Sequence, residues 1–149
     1  MPLLAWHYTL GVKATDILRD GFIRGATAVP TGDRPIIWFS LRQIWEPTAT
    51  KGRTFAGERP DLTLAEMIDE GHGLWRFGVP KIDLLAWKPL QQKAAISRDM
   101  ARALVREAQR VGTDPKFWYG SLEPVAVDRC EIQCILRHGD GWGGLPATP

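Results

Sequence analysis

The pattern of the first forty residues constrains the fold most. Two short apolar segments, AWHYT (5–9) and RPIIWFS (34–40), flank an amphipathic segment that ends in RDGFI (19–23). Short apolar runs are typical of strands, and a glycine that follows an amphipathic run is typical of a helix end. The chain is therefore predicted to begin as strand, helix and strand, at Leu3–Tyr8, Val12–Arg19 (ended by Gly21) and Ile36–Ser40.

The remaining elements are predicted in an irregular order. Ser97 caps the clearest helix, Arg98–Val111, which Gly112 ends, and a shorter helix is predicted at Leu64–Glu70. Because strands and helices do not alternate as in βαβ units, the fold class is predicted to be α+β. The other predicted segments are strands at Leu74–Val79, Pro124–Val127 and Cys130–Arg137, a long loop with one helical turn at Leu41–Pro60, and a turn at Asp114–Gly120.

Length and composition predict a single-domain cytoplasmic protein. The 149 residues fit one domain at 1–138, followed by a Gly/Pro-rich tail at 139–149 in which Trp142 could dock. No apolar run approaches the roughly 20 residues that span a bilayer, and the N-terminus lacks the basic start of a signal peptide. The net charge of +2, without a run of like charges, gives no sign of bulk electrostatic binding to nucleic acid.

The sequence motifs exclude several common kinds of site. Cys130 and Cys134 lack metal-ligand spacing with the histidines, so we expect two buried, reduced thiols and no metal. The dinucleotide-binding glycine motif, the P-loop, the zinc-protease HExxH motif and the nucleophile elbow are all missing. These absences argue against Rossmann, kinase-like, zinc-protease and α/β-hydrolase functions.

Three segments carry residues suited to chemistry. His7 ends the opening strand, and a neutral imidazole can hold a hydroxyl, accept a proton or bind a metal. Alternation along a strand places Trp38 and Ser40 on one face, where the indole could stack on a flat heterocycle. Glu123 precedes a proline, which restricts its backbone. Each residue also has a structural interpretation: a histidine bonded to backbone, a plain core strand and a solvated turn glutamate, with Glu46 and Glu131 as rival carboxylates.

Basic residues near these segments suit a pyrophosphate. Arginine binds phosphate oxygens bidentately, although each of these residues is individually more typical of a surface charge. Within the 41–60 loop we predict Lys51 and Arg53 as substrate contacts, with Arg53 assigned to the cofactor site. The candidates are Arg24, Arg34, Arg42, Lys51 and Arg53.

Four segments of the chain resemble the ADP-ribosyltransferase superfamily: WHYT (6–9), DILRDGFI (16–23), IIWFS (36–40) and SLEPVAVDRCEIQCI (121–135). They are most similar to the histidine-first branch, which contains the DNA-targeting ADP-ribosyltransferase toxins and the RNA 2′-phosphotransferases. Members of these groups open with a His-x-Thr-like motif and a helix of the form Ile-Leu-x-x-Gly-x-Ile. The paired histidine and arginine of the phosphotransferases are missing, and the glutamate is followed by proline, an uncommon pattern.

The resemblance implies an NAD cleft between two small, split β-sheets with flanking helices. His7 and Thr9 would belong to the motif that holds the nicotinamide ribose, Trp38 would stack near nicotinamide, and Ser40 would occupy the second-motif position. Glu123 and His7 would be the catalytic residues, with Glu123 steadying an oxocarbenium-like transition state.

The predicted function is transfer of ADP-ribose from NAD, used as a substrate, to a macromolecular acceptor, either protein or nucleic acid. Two alternatives stay open. The first is a non-enzymatic module that binds a nucleotide or a protein through the same cleft. The second is a structural component of an assembly, with several of the seven tryptophans at an interface.

Overall fold

The computed structural model describes residues 3–25, 34–49 and 62–144. Within these ranges the protein is a mixed α+β fold with four α-helices and an open antiparallel sheet, which confirms the predicted class. The elements are β1 (Leu4–Leu10), α1 (Gly11–Asp20), β2 (Phe22–Ile23), β3 (Ile37–Ser40), α2 (Leu64–Gly71), β4 (Leu74–Pro80), β5 (Leu85–Ala86), α3 (Trp87–Lys93), α4 (Arg98–Val111), β6 (Trp118–Ser121), β7 (Val125–Ala126) and β8 (Glu131–Ile135).

The two sheets are unequal in size. Six strands form the main sheet in the order β5-β6-β3-β1-β4-β8, and β2 pairs with β7 in a separate two-stranded sheet. Each of these pairs is antiparallel in the part of the chain described. The strands that carry His7 and Ser40 are therefore neighbours, and β6 lies directly beyond β3.

The main sheet contains a seam between β1 and β3. On its other side β1 pairs with β4 along its whole length, from Leu4 opposite Pro80 to Leu10 opposite Leu74. Between β1 and β3, the described residues form only one antiparallel pair, Trp6 opposite Ser40. Beyond this pair, the side chain of His7 rather than a ladder of backbone pairs connects β1 to β3, because its Nδ1 lies 2.8 Å from the carbonyl oxygen of Trp38.

Local sequence signals explain most helix boundaries. Gly21 ends α1 in the left-handed conformation, with φ of 84°, as predicted. The side chain of Ser97 accepts a hydrogen bond from the amide of Met100, and α4 ends at Gly112 with φ of 80°, so both predicted ends of this helix are confirmed. In α2 the helix continues through Gly71, one residue past the predicted end, and His72 takes the left-handed position.

The predicted turn at Asp114–Gly120 is only partly correct. Pro115–Phe117 form a 3-10 turn, but the chain then enters β6, which lies between β3 and β5. The strand depends on Gly120, because a Cβ atom at this position would lie 2.7 Å from a methyl group of Leu90. Close packing of α3 over β6 therefore selects glycine where the sequence alone suggests a turn.

Two other predictions fall in the long loop and the tail. A 3-10 turn at Pro47–Ala49 supplies the helical turn predicted in the 41–60 loop, whereas residues 50–61 lie outside the described ranges. In the predicted tail, Trp142 does dock. Its Nε1–H donates to the carbonyl oxygen of Ile44 at 2.8 Å, and Gly143 forms an isolated bridge with Cys134. Trp142 and Gly143 of the predicted tail therefore contact the preceding domain.

The hydrophobic core lies between the main sheet and α1. Its centre is made of residues that are almost fully buried from β1, β3, β4 and α1, and Ile23 of the small sheet packs with them. A second cluster, around Met67, Ile68 and Leu74, joins α2 to the far end of β4 and includes Trp142. The main core residues are Ala5, Ala14, Ile23, Ile37, Phe39, Phe77 and Val79.

Both cysteines are free thiols, and their burial predicts a pH-dependent stability. Burial raises the pKa of Cys130 from 9.0 to about 11. Because the folded-state pKa is raised, this contribution to stability is fully present below pH 9 and is lost as the pH rises to 11. We expect a loss of about 1 kcal/mol, which is the linkage energy discounted for partial exposure.

Urea unfolding at neutral pH and at about pH 11 measures this effect. Burial also raises the pKa of Cys134 and that of Tyr8, so the wild-type protein loses further stability in the same direction. The Cys130→Ala variant isolates the contribution of one thiol, because its stability should fall less between the two pH values. An identical fall in the two proteins would contradict the prediction.

Candidate functional site

The seam between β1 and β3 opens into a cavity of about 290 Å³. Its walls come from consecutive residues of these two strands, from the 3-10 turn after β3, from α4 and from β6. The wall residues used below are Trp6, His7, Tyr8, Trp38, Ser40, Glu46, Thr48, Glu107 and Trp118.

His7 spans the seam. Its Nδ1 lies 2.8 Å from the carbonyl oxygen of Trp38. A carbonyl oxygen can only accept, so Nδ1 carries the hydrogen, and in the neutral ring Nε2 is the acceptor nitrogen. The ring also packs against Phe39, with centroids 5.7 Å apart. The histidine is therefore held in one orientation and one tautomer by the strand opposite.

Glu46 is a buried carboxylate in the cavity wall, only 5% exposed. One oxygen accepts from the hydroxyl of Ser40 at 2.8 Å and lies 3.4 Å from that of Thr113. The other accepts from the amide of Thr48 at 3.0 Å and from its hydroxyl at 2.7 Å. Burying a carboxylate is costly unless it is hydrogen-bonded, and these four donors meet that need. These hydrogen bonds also connect the turn after β3 to Thr113, which follows the C-terminal end of α4.

Trp38 and Trp118 line the cavity, and Trp87 packs against both of them. Trp87 and Trp118 meet edge to face with centroids 5.2 Å apart, and Trp38 lies 5.9 Å from Trp118 and 6.1 Å from Trp87. These rings are offset or tilted, as the quadrupoles of indoles favour. Trp118 is 5% exposed, and its indole N–H has no hydrogen-bond partner among the described residues. Buried donors in native proteins are nearly always paired, so this N–H is a candidate donor to a ligand in the cavity.

Arg76 of β4 supports the other side of the cavity. It is 6% exposed, and its guanidinium lies 3.9 Å from the ring centre of Trp6 and 4.4 Å from that of Trp142. It donates to the side chain of Gln133, to the hydroxyl of Tyr8 and to the carbonyl oxygen of Gln43. Burial lowers the pKa of Arg76 and raises that of Tyr8.

The structure brings three of the predicted site residues together. His7, Trp38 and Ser40 all line the cavity. Thr9 lies two residues further along β1, buried and opposite Trp75 in the ladder with β4, and it is not part of the lining. Arg53 and Lys51 lie outside the described residues.

Glu123 lies away from this cavity. Its side chain is 82% exposed and faces Arg34, with 3.6 Å between the charged atoms. Along β6, Trp118 stands opposite Ser40 and Ser121 stands opposite Ile37, about 10 Å further along the sheet. Glu123 then follows in a turn, where its amide donates to the hydroxyl of Ser121. The predicted meeting of His7 and Glu123 in one pocket is thus not seen in the described residues.

Two residues that line the cavity, Glu46 and Trp118, are not among the site residues predicted from the sequence. On the sequence alone Glu46 is a rival carboxylate, because the segment WEPTAT gives no sign of burial. The local clue is Thr48, whose amide and hydroxyl both donate to the carboxylate. The sequence predicts a turn at Trp118, so it does not predict the position of this residue opposite Ser40. A second wall carboxylate, Glu107, is half-exposed and pairs with Arg110.

Comparison with known proteins supplies no relative. No family model, no curated protein and no solved structure matches the chain. Within the described ranges, no group of three or more His, Cys, Asp or Glu side chains is arranged to hold a metal ion. None of the helices there is long and apolar enough to cross a bilayer.

Proposed function

We propose that the protein is an ADP-ribosyltransferase-like enzyme that cleaves nicotinamide from NAD and transfers ADP-ribose to a macromolecular acceptor. One observation carries the proposal. Three residues that the resemblance assigns to the NAD site, His7, Trp38 and Ser40, line a single cavity. Its volume of about 290 Å³ lies at the lower end of the range for ligand pockets and suits a nucleoside rather than a whole dinucleotide.

The cavity would take the nicotinamide riboside end of NAD. The nicotinamide ring stacks on the indole of Trp38, and its carboxamide oxygen accepts from the indole N–H of Trp118. Nε2 of His7 faces a ribose hydroxyl as the acceptor. These roles use the aromatic wall, the unpartnered donor and the fixed tautomer of the imidazole.

The reaction itself requires a carboxylate near the ribose. The bond between C1′ and the pyridinium nitrogen breaks, its electron pair returns to the ring, and neutral nicotinamide leaves. The positive charge that develops on the ribose is stabilised by a fixed negative group. An acceptor nucleophile then bonds to C1′ and gives up its proton to solvent. We assign the negative group to Glu46, which lines the cavity, rather than to Glu123, which is exposed at the end of β6.

The proposal includes the ADP-ribosyltransferase fold. Support comes from the position of the three motif segments along neighbouring strands: β1 carries His7, β3 carries Ser40, and β6 leads to Glu123. Under this proposal, the single registered pair between β1 and β3 corresponds to a partial split within the six-stranded sheet.

A binding module without catalysis is the second candidate. Two observations favour it: both oxygens of Glu46 already accept hydrogen bonds, and Glu123 is 82% exposed. The two candidates differ in turnover. Incubation with labelled NAD, followed by assays for free nicotinamide and for label on acceptors, separates them, because a module binds NAD and leaves it intact.

Binding of NAD tests the cavity directly. We expect Trp38→Leu to weaken NAD binding about tenfold in calorimetric titrations, because loss of one ring stack costs about 1.4 kcal/mol. Phe22→Leu is the matched control, since Phe22 lies in the small sheet and is 41% exposed. Wild-type protein that neither binds NAD nor releases nicotinamide would refute the proposed function.

A further inference from the structure

A second concave surface lies between α3 and α4, on the opposite side of α4 from the cavity. It is an open groove of about 880 Å³. Arg98, Arg102 and Arg106 form one edge, four residues apart along α4 and therefore about 6 Å apart along its axis. Gln91 and Gln92 of α3 form the other edge. None of the described residues that line it is acidic.

The three arginines of this row lie outside the ion pairs seen in the described part of the chain. The arginines that form ion pairs in the described part of the chain are others. Arg110 pairs with Glu107, and Arg24 pairs with Asp20. No ion pair involves Arg98, Arg102 or Arg106 within those same ranges. Three like charges on one helix face repel each other, so an anionic partner would be attracted to them.

The floor of the groove is aliphatic. It is made by Ala95 and Ile96 between the helices and by Ala101 and Val105 of α4. Of the 14 residues of α4, only Ala108 is fully buried, although the apolar residues form a single stripe. The apolar side of this helix is thus only partly covered by the rest of the described protein.

We propose that this groove docks an acidic amphipathic helix of a partner protein. A helix that lays its apolar side into a groove is a common mode of recognition, with anchors at helical spacing. Acidic residues flanking those anchors would meet the arginine row, where guanidinium and carboxylate pair bidentately. The inference goes beyond the proposed function and does not depend on it.

Other occupants fit the groove less well. A second copy of the chain offers the acidic helix α2, but its Met67 and Ile68 are buried in the protein's own core. Single-stranded nucleic acid needs successive aromatic platforms for its bases. The described lining has one aromatic ring, Trp87, which already packs against Trp118.

The proposal is tested by the fluorescence anisotropy of four labelled probes on titration with the protein. Three are peptides as long as α4, and the fourth is a single-stranded oligonucleotide. The first peptide is helical, with leucines at helical spacing and glutamates beside them. The second has lysine in place of glutamate, and the third has serine in place of leucine. We expect only the first to bind, with affinity that falls as salt rises. Failure of the first peptide to bind would overturn the proposal, and binding of labelled single-stranded DNA or RNA in its place would identify nucleic acid as the occupant.

Variants separate the two components of the groove. Arg102→Glu/Arg106→Glu should weaken binding of the acidic peptide at least tenfold, about 1.4 kcal/mol. The control Arg19→Glu/Arg137→Glu makes the same change of charge on exposed residues elsewhere and should leave binding nearly unchanged. Val105→Lys adds positive charge but removes part of the apolar floor, so it should weaken peptide binding. Unchanged or stronger peptide binding by Val105→Lys would show a purely electrostatic site and contradict the proposal.

Discussion

Glu46→Gln is expected to lower the rate of NAD cleavage about a hundredfold. Loss of one preorganised electrostatic group in an active site has an effect of this size, about 2.7 kcal/mol in transition-state free energy. Glutamine has the same shape, and its amide oxygen can still accept from the amide of Thr48, which lies 3.0 Å from the Glu46 carboxylate. The hydroxyl of Ser40 can turn to accept from the new NH₂ group. The variant should therefore fold and bind NAD while losing turnover, as measured by nicotinamide release.

Glu123→Gln is the matched control for this experiment. Glu123 makes a surface ion pair with Arg34, and such pairs contribute little. Its replacement should leave the cleavage rate within about twofold of wild type, since a largely exposed carboxylate has little electrostatic effect. The opposite pattern, with an inactive Glu123→Gln and an active Glu46→Gln, would restore the assignment that the resemblance implies and remove Glu46 from the mechanism.

Arg76→Met is expected to destabilise the protein by about 3 kcal/mol. The substitution leaves the side-chain oxygen of Gln133 and the carbonyl oxygen of Gln43 without their guanidinium donor, and each orphaned acceptor costs about 1–3 kcal/mol. It also removes the stacking of the cation on Trp6 and Trp142. Relief of the cost of burying the charge offsets part of this loss. A fall of about 9 °C in melting temperature would correspond to the net effect.

Arg76→Lys distinguishes the charge from the shape of the side chain. Lysine keeps the positive charge but cannot donate in a fork to several acceptors. We expect its loss of stability in urea unfolding to lie between those of wild type and Arg76→Met. A methionine variant as stable as wild type would show that the hydrogen bonds and ring contacts of Arg76 contribute no net stability.

Much of the fold could be predicted because its signals are local. Ser97 and Gly112 mark both ends of α4, and Gly21 marks the end of α1. Helix α3 was missed because it starts directly after β5, and Ala86 at its start makes no side-chain cap. Strand β6 was missed because pairing with β3 and β5 overrides a local sequence rich in turn residues.

The site was predictable only in part. Alternation and strand order follow from short apolar runs, so His7, Trp38 and Ser40 could be expected near one another. The position of Glu123 depends on where β6 ends and on a turn that Ser121 stabilises, which no motif reveals. The burial of Glu46 depends on Thr113, which lies 67 positions away in the chain, and such a contact has no local signature.

The trio of Trp38, Trp87 and Trp118 also has an optical consequence. Indoles at separations of 5.2 to 6.1 Å couple their electronic transitions, so the trio should give a strong near-ultraviolet circular dichroism signal. Trp87 lines the groove, whereas Trp38 and Trp118 line the cavity. Occupancy of either concave surface would therefore perturb one shared chromophore, which gives the protein a built-in spectroscopic reporter for both without an added label.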